Sequence, residues 1–404
     1  MRIDPGTLPP LDPSCRITVA IPAKNEAESI GATLLAFSQQ RALDGSSIDP
    51  RTFEVLVLCN DCSDGTADVV RWFGAQSRAP RIHLLEASLA PSAAHVGTAR
   101  RALLDVASDR YLGAGRPRGI LASTDADSRV DHRWIAWTLA EMEAADAVAG
   151  HVEVSDEERE RMLAPMRLLY DRERTYRRLI GELEAAKDPA DFDPAPRHDA
   201  FVGTSFAVAA ATYRNAGGLA PLPRLEDQAF ARRLQRIDAR VRHSYAVRVA
   251  TSARRVARVD GGFATFIDDL AARGERGESF PVLAARRSIA ESCARAALRR
   301  MRKRIDDSGD VARAMSFFRL EEPALRAIVS DAATFGEGFA RALDLGTPRS
   351  YPDEPVESAI AKLRASLAAR KPVAPTLART ASGQTLRPIR PGWCRAARAA
   401  ADRV

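Results

Sequence analysis

The chain has no uncharged apolar run approaching the ~20 residues that a membrane-spanning helix needs, and its N-terminus lacks a basic segment followed by an apolar core. Neither a membrane-embedded nor a secreted protein is expected, and a cytoplasmic location is. Cysteine is sparse: five in 404 residues, an odd number at scattered positions, which argues against a disulfide framework and fits a reducing compartment. Cys59 and Cys62 do stand at Cys-x-x-Cys spacing, but no second pair completes a tetrahedral set, so they read as buried structural thiols rather than zinc ligands. No basic stretch is interleaved with aromatics, which is the pattern that stacks bases and tracks a phosphate backbone, so no nucleic-acid partner is expected. There is no internal repeat.

What is present is the balance of a globular protein. Hydrophobic residues make up 46% and charged residues 28%, and 404 residues allow one large domain or two ordinary ones, each with a sizeable core. The formal charge of +7, carried mostly by arginine, and a pI near 9.4 favour anionic partners such as nucleotides or phospholipids. After a proline-rich leader over residues 1–14, Ile17 to Ile21 reads as a buried strand that Pro22 ends. Asn25 and Glu28 stand at capping-box spacing ahead of Ile30, Leu34 and Leu35, the apolar face of a helix. The scheme then repeats, with a strand over Phe53 to Leu58, a polar turn over Asn60 to Gly65 and a helix from Thr66 to Phe73. A strand at Ile82 to Leu85, a helix over Ser92 to Val106 and a strand over Gly119 to Thr124 follow. Strands alternating with helices imply an α/β fold with a mostly parallel wound sheet, on which ligands sit outside the carboxyl ends of the strands. The turns Ala23 to Glu26, Asn60 to Asp64 and Asp125 to Asp127 therefore share one edge.

Further along, Trp134 to Met142 reads as a helix, Ala147 to Val154 as extended, and Asp156 to Ala186 as one long charged helix. Phe201 to Val208 reads as loop and strand, Glu226-Asp227 as an acidic pair heading a helix, and Tyr245 to Val249 as the last strand. This bounds a sheet domain at residues 15–266. Beyond it the composition shifts to Ala, Arg and Leu, giving a helical extension over 267–370 and a Pro/Arg/Ala-rich tail over 371–404 that is expected to be partly disordered. In the extension Ile289, Cys293, Ala297, Met301 and Ile305 recur every four residues among arginines. That helix is expected to pack on the sheet domain, with peripheral contact to an anionic membrane as the alternative.

The stretch Leu121 to Ser128 is the chemical centre of this reading. A short apolar run opens into Asp125 and Asp127, one residue apart, the pattern of a buried strand delivering acids to an exposed end. Two carboxylates held that close repel unless a cation or hydrogen-bond donors separate them, and a divalent metal carrying a phosphorylated ligand is the natural occupant.

Taken together, Val19-Ala20-Ile21-Pro22-Ala23-Lys24-Asn25-Glu26, Asn60-Asp61-Cys62-Ser63-Asp64-Gly65-Thr66, Gly97-Thr98-Ala99-Arg100, Asp125-Ala126-Asp127, Gly203-Thr204-Ser205 and Glu226-Asp227 resemble, in order, the motifs of glycosyltransferase family 2 on the GT-A fold. The resemblance implies transfer of a sugar from a nucleotide-diphosphate donor, a UDP-sugar first and a GDP-sugar as the alternative, to a hydroxyl-bearing acceptor. It implies magnesium or manganese on Asp127, with Asp125 at the ribose or as a second ligand. Asp227, beside Glu226, would be the base that activates the acceptor, and the outcome would be inversion. Pro22, Ala23 and Glu26 would line the nucleoside pocket and Asn60 would read the base. Arg100 would pair with phosphate or an acid, Gly203, Thr204 and Ser205 would approach the sugar or acceptor, and Arg254 would hold the diphosphate.

Two departures stand out. Relatives often carry paired aspartates where this chain has Cys59-Asn60, and the Gln-x-x-Arg-Trp motif of processive synthases does not occur. Single-sugar transfer is the expectation. A sugar-1-phosphate nucleotidyltransferase is the alternative enzyme, but the glycine-rich activating loop after the first strand is missing; a non-catalytic nucleotide-sugar scaffold is the other alternative. His243 reads as an ordinary packed histidine more than as a further metal ligand.

Overall fold

The computed structural model describes residues 3–76, 80–253, 263–305 and 308–369. The described residues up to Leu367 form one compact unit. The expected tail at 371–404 lies outside the described residues.

In chain order the sheet unit contains β1 Ile17–Ala23, α1 Ile30–Ser38, β2 Phe53–Asn60, α2 Thr66–Gly74, β3 Arg81–Ala87, α3 Val96–Gly113, β4 Ile120–Ser123, β5 Ser128–Val130, α4 Trp134–Glu141 and β6 Ala147–Val154. It continues with α5 Asp156–Arg161, α6 Ala164–Lys187, β7 Phe206–Ala209, α7 Ala210–Asn215, α8 Glu226–Arg236 and β8 Val241–Thr251. The eight strands form one sheet in the order β3-β2-β1-β4-β7-β6-β8-β5. The first four run parallel. β7 is antiparallel to both β4 and β6, β6 and β8 are parallel, and β5 is antiparallel to β8. The wound, helix-flanked sheet expected from the residues is present.

Alternation along the strands builds the layers. Successive side chains of a strand point to opposite faces. Val19 and Ile21 of β1 and Val55 and Val57 of β2 accordingly join Ile30, Leu34 and Phe37 of α1 and Trp134 of α4 in one buried cluster. Ala20, Leu56 and Leu58 join Ala99, Leu103 and Tyr111 of α3 and Phe230 of α8 in another. A strand buried on both faces needs an apolar residue at every position, which is why these runs look continuous rather than alternating.

Three local expectations are corrected. β1 runs through Pro22 to Ala23 instead of stopping before it. Its ladder with β4 ends at Ala20 opposite Ser123, so Pro22 sits where β1 has a partner on one side only, and a missing N–H is tolerated there. Asn25 does not cap a helix: α1 starts at Ile30 behind Ser29, and Asn25, with φ of 55°, accepts a 2.8 Å bond from the Ser63 amide. The long charged helix is two helices, α5 and α6. Pro165 lies in the first turn of α6, where its lack of an N–H costs nothing, whereas a continuous helix would have placed it inside.

The C-terminal elements of the compact unit are α9 Phe263–Arg276, β9 Pro281–Val282, α10 Ala285–Arg302, α11 Ser308–Phe318, α12 Glu322–Asp331, α13 Phe335–Leu345, β10 Glu354–Pro355 and α14 Val356–Ala368. α6 shares an apolar cluster with α9 and α14. The stripe predicted on α10 is buried in part: Ala297 and Met301 pack with Phe317, Phe318 and Leu325, whereas Ile305 is exposed. Arg299 lies over the Phe335 ring at 4.0 Å and pairs with Asp188 of the segment after α6 at 2.8 Å. These contacts leave the stripe as packing surface rather than a face for a membrane, and no described helix is long and apolar enough to cross one.

Glu153 of β6 gives this region a pH dependence. Burial pushes its carboxyl up, but His151 and the Arg248 guanidinium outweigh burial and hold it at about 2, below the ordinary value of 4.5. A carboxylate lowered in the folded state contributes stability above its unfolded value and loses it as pH falls through the folded one. The urea midpoint should therefore drop on acidification from pH 4.5 toward 2, and Glu153→Gln should flatten that drop in the same titration.

Candidate active site

The carboxyl ends of β1, β2 and β4 lie side by side, and their turns are cross-linked. The Glu26 amide donates to Thr66 Oγ1 at 2.8 Å and the Ala27 amide to Asp64 at 3.1 Å. The α1 hydroxyl of Thr33 donates to the Ala126 carbonyl at 2.8 Å, tying the Asp125–Asp127 turn to the helix behind β1. The three turns thus share one edge, as the strand order requires. Pro22, Ala23, Glu26 and Asn60 are all buried along it.

The other residues converge on Arg100, whose side chain is 3% exposed. Gly97 begins this approach: a Cβ there would meet the Leu222 carbonyl oxygen at 2.0 Å, so only glycine lets the first turn of α3 come so near the segment before α8. One turn on, the Arg100 guanidinium bonds Asp125 at 2.5 Å and also Glu226. Gly203 lies against the same group, with Arg100 Nη1 2.6 Å from where a Cβ would stand. The remaining Asp125 oxygen accepts from the Thr204 hydroxyl at 2.5 Å. Asp227 Oδ2 accepts from the Gly203 amide at 2.8 Å. Ser205, fully buried, receives the Trp134 indole N–H at 3.2 Å. Stretches near 100, 125, 204 and 226 therefore meet in a single network of charge-assisted bonds.

Leu225 enters this network through its backbone. It precedes α8 with φ of 55°, a left-handed conformation that a leucine rarely adopts. That turn faces Glu226 inward, against Arg100. Burial pushes the Glu226 carboxyl up, while the Arg100 charge pulls the other way.

Asp127 is half-buried, with the Ser128 hydroxyl 3.4 Å from Oδ1. Ser128 opens β5, which pairs with the end of β8, and its hydroxyl donates to Thr251 at 3.1 Å. The end of β8 is thereby brought beside Asp127. Three residues are too few for alternation to show, so β5 has no signature in the residues. Arg254, expected at the diphosphate, lies outside the described residues. His243 is held at 2.9 Å by Asp193. The register Ser123–Phe206–Ala149–His243 puts it three strands from β4, roughly 14 Å away, which removes it from the acidic turn.

The donor set can be tested against a divalent cation. Among the described residues no three His, Cys, Asp or Glu side chains gather into a complete cage. Both oxygens of Asp125 accept hydrogen bonds, from Arg100 and from Thr204. Magnesium commonly takes one or two carboxylates and completes its shell with substrate phosphates and water. Asp127 fits that mode, and a site made wholly of protein ligands does not.

Residues 18–190 match the family model described as glycosyl transferase family 2. The match takes in the turns of β1, β2 and β4 and stops before Gly203 and Glu226. No curated protein matches the chain. Among solved structures, S. aureus TarS 1-349 in complex with UDP-GlcNAc is 13% identical, covering 81% of this chain and 90% of that one with a TM-score of 0.42. The mannosyltransferase PcManGT from Pyrobaculum calidifontis in complex with GDP-Man and Mn2+ is 16% identical, with 91% and 79% covered and a TM-score of 0.39. Glucosyl-3-phosphoglycerate synthase from Mycobacterium tuberculosis with Mn2+, UDP and glucosyl-3-phosphoglycerate is 16% identical, with 67% and 86% covered and a TM-score of 0.34. At these values the likenesses decide nothing about substrate.

Proposed function

With residues 18–190 a glycosyl transferase family 2 domain, the chain is a glycosyltransferase, and we propose that it moves a single sugar from a nucleotide-diphosphate donor to a hydroxyl acceptor, with inversion and with magnesium or manganese. The observation that carries this reading is the gathering of Asp125, Glu226 and Asp227 around one buried arginine, beside the turn that bears Asp127. Acids from both halves of the chain meet at the edge where a wound sheet binds its ligands.

In this reading Pro22, Ala23 and Glu26 wall the nucleoside and Asn60 reads the base. An Asn amide offers both a donor and an acceptor, so it can meet either base; UDP-sugars are the first donors to try and GDP-sugars the second. Asp127 would hold the cation, which when bound supplies a Lewis acid for the departing diphosphate. Asp227 takes the proton from the acceptor hydroxyl, and its carboxylate is kept in place for this by the Gly203 amide. Attack from the face opposite the leaving group inverts the anomeric carbon. Arg100 and Thr204 hold Asp125, and Arg100 holds Glu226, so their part is to position the acids.

Asp227→Asn tests the assignment. Turnover should fall by about 10²–10⁴-fold, while donor affinity measured by calorimetry should stay within about twofold, because the Asn oxygen can still accept from Gly203 and only the bond from the adjacent Gln228 amide is given up. Equal loss of donor binding and turnover would make Asp227 a structural residue.

A further inference from the structure

Cys59 and Cys62 take no part in the transfer reaction, yet they flank Asn60. We propose that they are a modification site: a dithiol that a low-molecular-weight disulfide closes into an intramolecular disulfide, loosening the nucleotide-side turn and weakening donor binding. The effect on binding rests on the reading of Asn60 as the base-side residue; the closure does not.

The geometry is local and specific. Cys59 is the next-to-last residue of β2, 3% exposed, and pairs in register with Ala23 of β1. Asp61 then reverses the chain through a φ of 51°, with its amide bonded to the Ala87 carbonyl at 3.0 Å. The reversal returns Cys62 over the strand end it has just left. Its thiol donates to the carbonyl of Ala23, the register partner of Cys59, at 3.5 Å and accepts from the Asn25 amide at 3.4 Å. Both thiols belong to the same apolar cluster at the ends of β1 and β2. Cys62 thus adds a tie between the β1 and β2 turns to those made by Asn25 with Ser63, Glu26 with Thr66 and Ala27 with Asp64.

The two sulfurs differ in access. Burial, reinforced by the Cys62 thiol, pushes Cys59 up to about 12, whereas Cys62 is only partly buried. Cys62 is the thiol an oxidant reaches. Its thiolate attacks one sulfur of the small disulfide, which breaks the S–S bond and releases one thiol. Cys59 then loses its proton and attacks the Cys62 sulfur, releasing the second thiol. One protein dithiol and one small disulfide become one protein disulfide and two small thiols. Closure takes from Cys62 the proton it donates to Ala23 and so removes one of the ties between the two turns.

The test uses the full chain, reduced and then exposed to oxidised glutathione. Intact mass should show loss of two hydrogens, and two of the five thiols should vanish from a denatured thiol titration. Peptide mapping should place the bond at Cys59–Cys62, UDP or GDP should bind about 5-fold or more weakly, and dithiothreitol should restore both readouts. Cys59→Ser and Cys62→Ser should each prevent closure; the half-buried Cys62 site is the variant less demanding on folding. A glutathione adduct that persists on Cys62, or a bond to Cys15, Cys293 or Cys394, would overturn the site. A closed Cys59–Cys62 bond with unchanged nucleotide affinity would overturn its effect. If the reduced chain binds neither nucleotide, the donor reading fails, while mass and mapping still decide the dithiol.

Discussion

Replacing Arg100 with methionine is expected to cost about 3–5 kcal/mol of folding stability, the usual result of removing one partner from a buried ionic cluster, and to abolish sugar transfer with it. The guanidinium is 3% exposed and lies between Asp125 and Glu226, and Asp227 is near enough to add to the charge it feels. Without it, three acids face one another with no cation of the protein's own between them. Glu226, already pushed up by burial, would take up a proton, which keeps the loss toward the lower end of that range. Arg100→Met combined with Glu226→Gln should therefore recover part of the stability and none of the activity. Arg100→Lys should fall between, since an ammonium keeps the charge but cannot fork to two carboxylates. Urea unfolding and turnover on the same preparations separate these outcomes. A methionine variant as stable and active as the parent would mean that the network organises nothing.

Asp127→Ala is expected to do the opposite kind of damage. Its side chain is half-buried at the edge of the sheet, so stability should change by about 0.5 kcal/mol or less. Turnover should fall by about 10²–10³-fold if the diphosphate loses several kcal/mol of charge stabilisation as it leaves. Addition of manganese should tighten nucleotide binding to the parent and leave the variant unaffected. Undiminished turnover in the variant would reject Asp127 as the metal ligand. Arg100→Met breaks the fold and the chemistry together; Asp127→Ala separates them.

The contrast bears on how much of this site could be read from residues alone. Asp125, Asp127, Glu226 and Asp227 were legible because each interrupts an apolar pattern at the end of a strand or the head of a helix, and those interruptions are local. The first four strands were legible for the same reason. Unread were the features set by register and by neighbours distant in the chain. The Thr204 grip on Asp125, the three-residue β5 that sets Thr251 beside Asp127, and the left-handed Leu225 leave no periodic trace. Local rules also misled where tertiary context outweighed them. Asn25 stands at capping-box spacing and bonds across to Ser63 instead. Pro22 marks a strand end by its chemistry, yet β1 continues through it because β4 has already stopped.

The placing of β7 has a consequence for how the chain is made. β7 lies between β4 and β6, so between the emergence of Ser123 and that of Phe206 the polypeptide carries four neighbouring strands whose β4 border has no partner yet. That border, Ile120–Ser123, is apolar and ends up wholly buried, the kind of edge that recruits other chains when left open. Release from that hazard comes only when residues 206–209 leave the exit tunnel, in the same stretch that delivers Gly203 and Thr204 to the acids.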